Sequence, residues 1–169
     1  DDSSSHSDRH AIPIGESDEL RVVFGRNNKR YERLMQLDMA TGNIETLSIP
    51  PHLSASIAAE DEEGRILFAG SRVDQQGNPT SAPDLFRFDP ETEDTEQLTN
   101  TEWEEWRPVV DPVTNDIYFI ANPNGQFDIF RLDSRAQQSS IVFKSQSDEW
   151  DPDISPDGKW LVFASKKSG

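Results

Sequence analysis

Glu149-Trp150-Asp151-Pro152-Asp153-Ile154-Ser155-Pro156-Asp157-Gly158-Lys159-Trp160-Leu161-Val162-Phe163 runs from a proline-bearing segment through a turn into an apolar run that ends in Phe. Asp157-Gly158 supplies the φ > 0 positions of a tight hairpin, so the stretch reads as strand, turn, strand. The same landmarks stand 44 residues earlier, in Trp106-Arg107-Pro108-Val109-Val110-Asp111-Pro112 and Asp116-Ile117-Tyr118-Phe119. Recurrence at a fixed period decides the architecture before any local assignment can.

Working outward, Leu20-Arg21-Val22-Val23-Phe24 and Arg65-Ile66-Leu67-Phe68 complete a series of four Phe-ended runs, spaced 44, 51 and 44 residues apart. Eleven residues before each Phe stands Pro13, Ile57, Pro108 or Pro152. A further strand follows the first three, in Leu34-Met35-Gln36-Leu37-Asp38, Leu85-Phe86-Arg87-Phe88-Asp89 and Ile129-Phe130-Arg131-Leu132-Asp133. The aspartates that end them are spaced 51 and 44, so two independent landmarks keep one register. The longer interval has a local cause: seven extra residues lie in the turn-rich loop 73–83, and a solvated hairpin tip tolerates insertion. A fourth strand is expected in residues 43–49, 94–99 and 138–144, with Leu47, Leu98 and Val142 equivalent.

A unit of about 40–45 residues with four short strands is a β-propeller blade. A β-sandwich also has short strands, but nothing in it requires one register to recur four times. The predicted organisation is a polar, flexible tail over 1–10, then blades over 11–50, 51–101 and 102–146, and the first two strands of a fourth over 147–169.

The stretch 149–165 resembles the repeat of TolB-like propellers, also called WD40-like or PD40 repeats. In that pattern a proline precedes a Ser-Pro-Asp-Gly-Lys turn and an aliphatic-Phe strand, followed by an Ile-Tyr-x-x-Asp strand and a terminal Leu-Thr. Asp128-Ile129-Phe130-Arg131-Leu132-Asp133 and Gln97-Leu98-Thr99 match its later parts. True WD40 repeats carry Gly-His dipeptides, and none of His6, His10 and His52 follows a glycine. The resemblance implies an open or partial ring in a bacterial periplasmic or other extracytoplasmic setting, with a protein or peptide held at the channel mouth. As an alternative reading, propellers of this type also resemble the gating domain of prolyl-oligopeptidase-like peptidases, whose catalytic domain lies elsewhere in the chain. A propeller closes into a ring, so a chain stopping at the hairpin of its fourth unit reads as part of a longer chain, or as one closed by self-association.

Composition narrows the partners. Sixteen Lys and Arg stand against 32 Asp and Glu, a net charge of −16, and no run of consecutive basic residues exceeds two, as in Lys29-Arg30 and Lys166-Lys167. A phosphate-tracking surface needs clustered cations, so neither nucleic acid nor an anionic membrane is an expected partner, while a basic protein segment is. Without cysteine there is no disulfide, thiolate metal site or cysteine nucleophile. No apolar run reaches the length of a membrane-spanning helix. Hydrophobic residues are only 33% of the chain, but they gather in short, evenly spaced runs that suit half-buried strands.

Candidate functional residues are those that depart from the repeat. No Gly-x-Ser-x-Gly elbow occurs, and the histidines fall in the tail and in a connection, so no catalytic residue is expected and the reading is of a protein without enzymatic activity. Trp106 and Trp150 share one repeat position and are expected to pack blade against blade. Trp103 has Ser147 as its counterpart, and with Glu102, Glu104 and Glu105 it forms a candidate ligand contact, joined by Asp148, Glu149 and Asp151. These carboxylates lack calcium-loop spacing, and no metal or cofactor is expected. Asp74, Gln75, Gln76 and Asn78 in the inserted loop are a second candidate contact, and carbohydrate binding at Trp103 is an alternative reading.

Overall fold

The computed structural model describes residues 7–15, 20–27, 31–135 and 137–166. Among the described residues fourteen strands form sheets in chain order. The first sheet holds β1 (Ser7–Ile14), β2 (Arg21–Asn27), β3 (Glu32–Asp38) and β4 (Ile44–Thr46). The second holds β5 (Leu53–Glu60), β6 (Ile66–Arg72), β7 (Asp84–Phe88) and β8 (Thr95–Gln97). The third holds β9 (Glu105–Val110), β10 (Ile117–Ala121), β11 (Asp128–Leu132) and β12 (Ser139–Phe143), and the last pairs β13 (Glu149–Ile154) with β14 (Leu161–Ser165). Every pairing is antiparallel between chain neighbours, the meander of a propeller blade.

The blades pack face to face, which places the cores between sheets. Ile66 and Phe68 of β6 join Val23, Leu34 and Leu53 in one core cluster, while Leu67 between them joins Phe119, Phe130 and Leu132 in the next. Side chains alternate across a strand, so a strand buried on both faces needs an unbroken apolar run, and Ile66-Leu67-Phe68-Ala69 is one. The Phe landmarks stack across strands: Phe68 on Phe86 at 5.5 Å and Phe119 on Phe130 at 5.8 Å between ring centroids. Among the described residues β5, β9 and β13 each touch the first strand of the preceding sheet, whereas β4, β8 and β12 touch only their own neighbour. First strands therefore lie innermost and fourth strands outermost.

The aspartates that keep the register have a local role. Asp38 Oδ1 accepts from the Ala40 and Thr41 amides at 2.8 and 2.9 Å, and Asp89 Oδ1 from Glu91 and Thr92 at 2.8 and 3.2 Å. Each turns the chain from third strand to fourth, and these amides hold both carboxyls below the ordinary range. Gly158 takes φ 68° in the quoted turn, while Asp157 keeps a negative φ and supports it through its side chain. Pro108 and Pro152 sit in innermost strands at register shifts, where a missing amide costs no ladder bond.

Two boundaries differ from expectation. The polar tail was predicted over 1–10, but β1 begins at Ser7 and pairs with β2 as far out as Asn27. Backbone groups drive that pairing, and polar side chains do not oppose it. Residues 1–6 lie outside the described part, as does the expected end of the fourth unit at 167–169. The outermost strands β4 and β8 are three residues each, shorter than 43–49 and 94–99, although the Leu47 and Leu98 amides extend the ladder to Leu34 and Leu85. Val142, their counterpart, is exposed alongside Ile141, Phe143, Trp160 and Val162 where the fourth sheet has two strands.

Candidate functional site

The connection from β8 to β9 is fastened on both sides. On the inner side the Leu85 amide donates to Thr99 Oγ1 at 2.8 Å, and the Thr99 hydroxyl donates in turn to Glu105. The Thr101 amide donates to Asp84 Oδ1 at 2.9 Å, and the Glu105 amide to the Pro83 carbonyl at 2.9 Å. On the outer side the Glu104 amide donates to Asn122 Oδ1 at 2.8 Å, and the Asn122 amide to the Glu104 carbonyl at 3.3 Å. Trp103 stands between these clasps, 38% exposed.

Beneath it, Glu105 is buried beside the buried Asp84. Burial, then the Asp84 charge, pushes the Glu105 carboxyl up to about 7. The Thr101 hydroxyl lies 3.1 Å from the Trp103 carbonyl and 3.2 Å from Glu105 Oε1, so its one proton serves one of these acceptors or is shared between them.

Over this connection opens a cleft of about 800 Å³ between the second and third blades, with Glu32 of the first blade at its edge. Glu102, Trp103, Glu104 and Trp106 form one side, and Ser54, Ser56 and Ser71 of the second blade the other. Pro79, Pro83 and Pro123 shape its rim, and among the described residues no Lys, Arg or His lines it. Trp106 donates from Nε1 to Glu104 Oε2 at 3.2 Å. Rigid prolines, two indoles and the Glu102 and Glu104 carboxylates suit an extended ligand with apolar and cationic parts.

The structure divides the expected contact residues among four places. Glu102, Trp103 and Glu104 line the cleft, while Glu105 is sealed behind it. Asp148 belongs to the next seam, where the Phe127 amide at 3.2 Å and Lys166 Nζ at 3.2 Å engage it and hold its carboxyl low, the amide most strongly. Glu149 is wholly buried there, its Oε1 2.5 Å from Ser145 Oγ. Asp151 lies on the innermost strand β13, facing Arg107. A buried carboxyl presents nothing to a partner, so Glu105 and Glu149 drop out as direct contacts.

The inserted loop is an ordered turn. Asp74 Oδ1 accepts from the Gln76 and Asn78 amides at 2.9 and 2.8 Å, and Val73 bridges to Pro79. Asp74, Gln75, Gln76 and Asn78 are exposed at its tip and do not line the cleft, whereas its base, Pro79 and Ser81 to Pro83, does. The tryptophans at one repeat position also diverge. Trp150 packs on Phe127 of the third blade at 4.7 Å between centroids, as expected, while Trp106 faces the cleft. Sequence reasoning missed Trp106 and Asn122. The signal was present in their counterparts, since Phe127 occupies the place of Pro83 and Lys166 that of Asn122.

No protein-family model matches the chain, and no curated protein matches it. Solved structures do. TolB from Acinetobacter baumannii superposes with a TM-score of 0.73 at 17% identity, over 88% of this chain and 36% of that one. A putative TolB from Agrobacterium tumefaciens gives 0.71 at 20%, over 86% and 50%. The β-propeller domain of the Trilobed protease from Pyrococcus furiosus, described as having an open velcro topology, gives 0.62 at 14%, over 93% and 46%. The chain thus spans between about a third and a half of these proteins, and at such identities the likeness is one of fold. Among the described residues no helix is long and apolar enough to cross a membrane.

Proposed function

We propose that this chain is a non-catalytic binding segment of a β-propeller, holding a protein or peptide in the cleft between its second and third blades. One observation carries this reading: Trp103, the aromatic that breaks the repeat, lines an open cleft on a main chain fastened by the Thr101 hydroxyl at its own carbonyl and by Asn122 at the following amide. Such fastening lowers the ordering cost of binding, which is how modest contacts give useful affinity. The resemblance to TolB-like propellers supports a bacterial cell-envelope setting for this module.

The test is peptide display selected on the 169-residue chain and counter-selected on Trp103→Ala. Peptides retained by the parent and lost from the variant support the reading. Equal retention by both, or no enrichment at all, overturns it.

The Pyrococcus propeller belongs to a protease, which favours a second reading in which this chain is the propeller portion of a larger peptidase. A Gly-x-Ser-x-Gly domain in the same gene product would support it, and further blades alone would remove it.

A further inference from the structure

We infer that the cleft between the second and third blades is a socket for a cationic side chain, the ammonium of Lys or the guanidinium of Arg, presented by a partner peptide. The inference rests on the cleft being a binding site and names the group it takes.

The neighbouring seam shows what this place in the repeat holds. Between the third and fourth blades, Lys166 Nζ lies 3.2 Å from Asp148 Oδ2 and 5.1 Å from the centre of the Trp150 ring. All three residues stand 44 positions after residues at the cleft: Asn122, Glu104 and Trp106 respectively. The backbone agrees atom for atom. The Lys166 amide donates to the Asp148 carbonyl at 3.0 Å as the Asn122 amide does to Glu104, and the Glu149 amide donates to Phe127 as the Glu105 amide does to Pro83. The cleft therefore has the carboxylate and the indole of a cation site on the same frame, but an amide where the cation would be.

That amide carries no charge, and its Oδ1 accepts from the Glu104 backbone amide. Space is available too. In the filled seam the Phe127 ring lies against Trp150, and in the cleft that position is Pro83, which leaves the face of Trp106 toward an open volume of about 800 Å³. Glu102 adds a second carboxylate and Trp103 a second indole that the filled seam lacks, having Gln146 and Ser147 instead. The seam between the first and second blades carries Leu53, Ala55 and Ser71 at the matching positions and has neither half of the arrangement. A cation stripped of part of its water is compensated by a carboxylate and an indole face together.

The experiment follows the indole N–H resonances of the four tryptophans in the 169-residue chain by ¹H–¹⁵N NMR. The probes are N-acetyl-lysine amide, N-acetyl-arginine amide and the neutral isostere N-acetyl-citrulline amide. Either cationic probe should move Trp103 and Trp106 saturably while leaving Trp160 in place, with citrulline amide at least about fivefold weaker. The relative affinities of the two cations tell ammonium from guanidinium. Asn122→Lys should abolish probe binding by filling the socket from within, and Gln75→Lys, which adds the same charge at the exposed loop tip outside the cleft, should retain it. Equal binding of citrulline amide, parallel shifts of all four indoles, or undiminished binding to a folded Asn122→Lys would overturn the inference. Trp103-dependent capture of uncharged peptides would overturn the socket yet leave the binding module standing, whereas no binding of probes or peptides removes both.

Discussion

Arg107 and Asp151 occupy one position in successive blades, both take a left-handed backbone (φ 58° and 51°), and Arg107 Nη1 lies 3.0 Å from Asp151 Oδ1. Each sits at the register shift of an innermost strand, where an inserted residue bends the strand and re-aims its side chain. The repeat thus makes two identical bulges, and the ion pair links them across the seam. Both partners are well exposed to solvent, so the pair itself contributes little. A double-mutant cycle of Arg107→Ala and Asp151→Ala should give a coupling below about 1 kcal/mol that fades with salt. The backbone matters more: Asp151→Val, a β-branched side chain at positive φ, should cost about 1–3 kcal/mol in urea unfolding, while Asp151→Gly should cost nothing measurable.

Glu105 makes stability depend on pH. Its carboxyl sits at about 7 in the folded chain against an ordinary 4.5, so the folded state retains a proton that the unfolded state releases. Stability should therefore fall as pH rises from about 4.5 to about 7, by up to about 3 kcal/mol from this group. Glu105→Gln keeps the shape, can donate to Thr101 and accept from Thr99, and has no charge to bury. Its urea midpoint should exceed the parent's at pH 8, converge with it near pH 5, and show the flatter profile. A parent midpoint that rises between pH 5 and 8 would contradict the assignment.

The blades were legible because a repeat states the same fact several times: Phe68 and Phe119, or Asp38 and Asp89, fill the same structural place. The site was legible only where it breaks the repeat, as Trp103 does. Glu105 and Glu149 look in sequence like other acidic loop residues, because burial is decided by the neighbouring blade, through Asp84 and Thr99 in one case and Ser145 in the other. Trp106 was hidden for the opposite reason. It obeys the repeat, and only the exchange of Phe127 for Pro83 opens space in front of it.

The tip of the inserted loop should be dispensable. Gln75 and Gln76 are exposed, and the turn is closed by Asp74, Asn78 and Gly77 at φ 87°. Gln75→Ala with Gln76→Ala should change stability by no more than about 0.5 kcal/mol and leave cation-probe shifts at Trp103 unaltered. Gly77→Val, which forces a branched side chain into that φ, should loosen the Val73–Pro79 bridge and broaden those resonances through the loop base.

Phe68 and Phe163 are the same residue of the repeat in different surroundings. Phe68 is wholly buried, stacked on Phe86 with blades on both sides of its sheet. Phe163 belongs to the two-stranded sheet, half-buried against Phe143, which is itself 40% exposed. Removing a ring costs the transfer energy of its buried surface plus that of the cavity left, and both terms shrink where solvent can enter. Phe68→Ala should therefore cost about 3–5 kcal/mol and Phe163→Ala about 1–2 kcal/mol in urea unfolding. Because each blade is stabilised mainly by its neighbours, the Phe68 variant should also lose hydrogen-exchange protection in β2 and β10, on either side of it. Protection lost only within β6 and β7 would show that the blades hold themselves together without their neighbours.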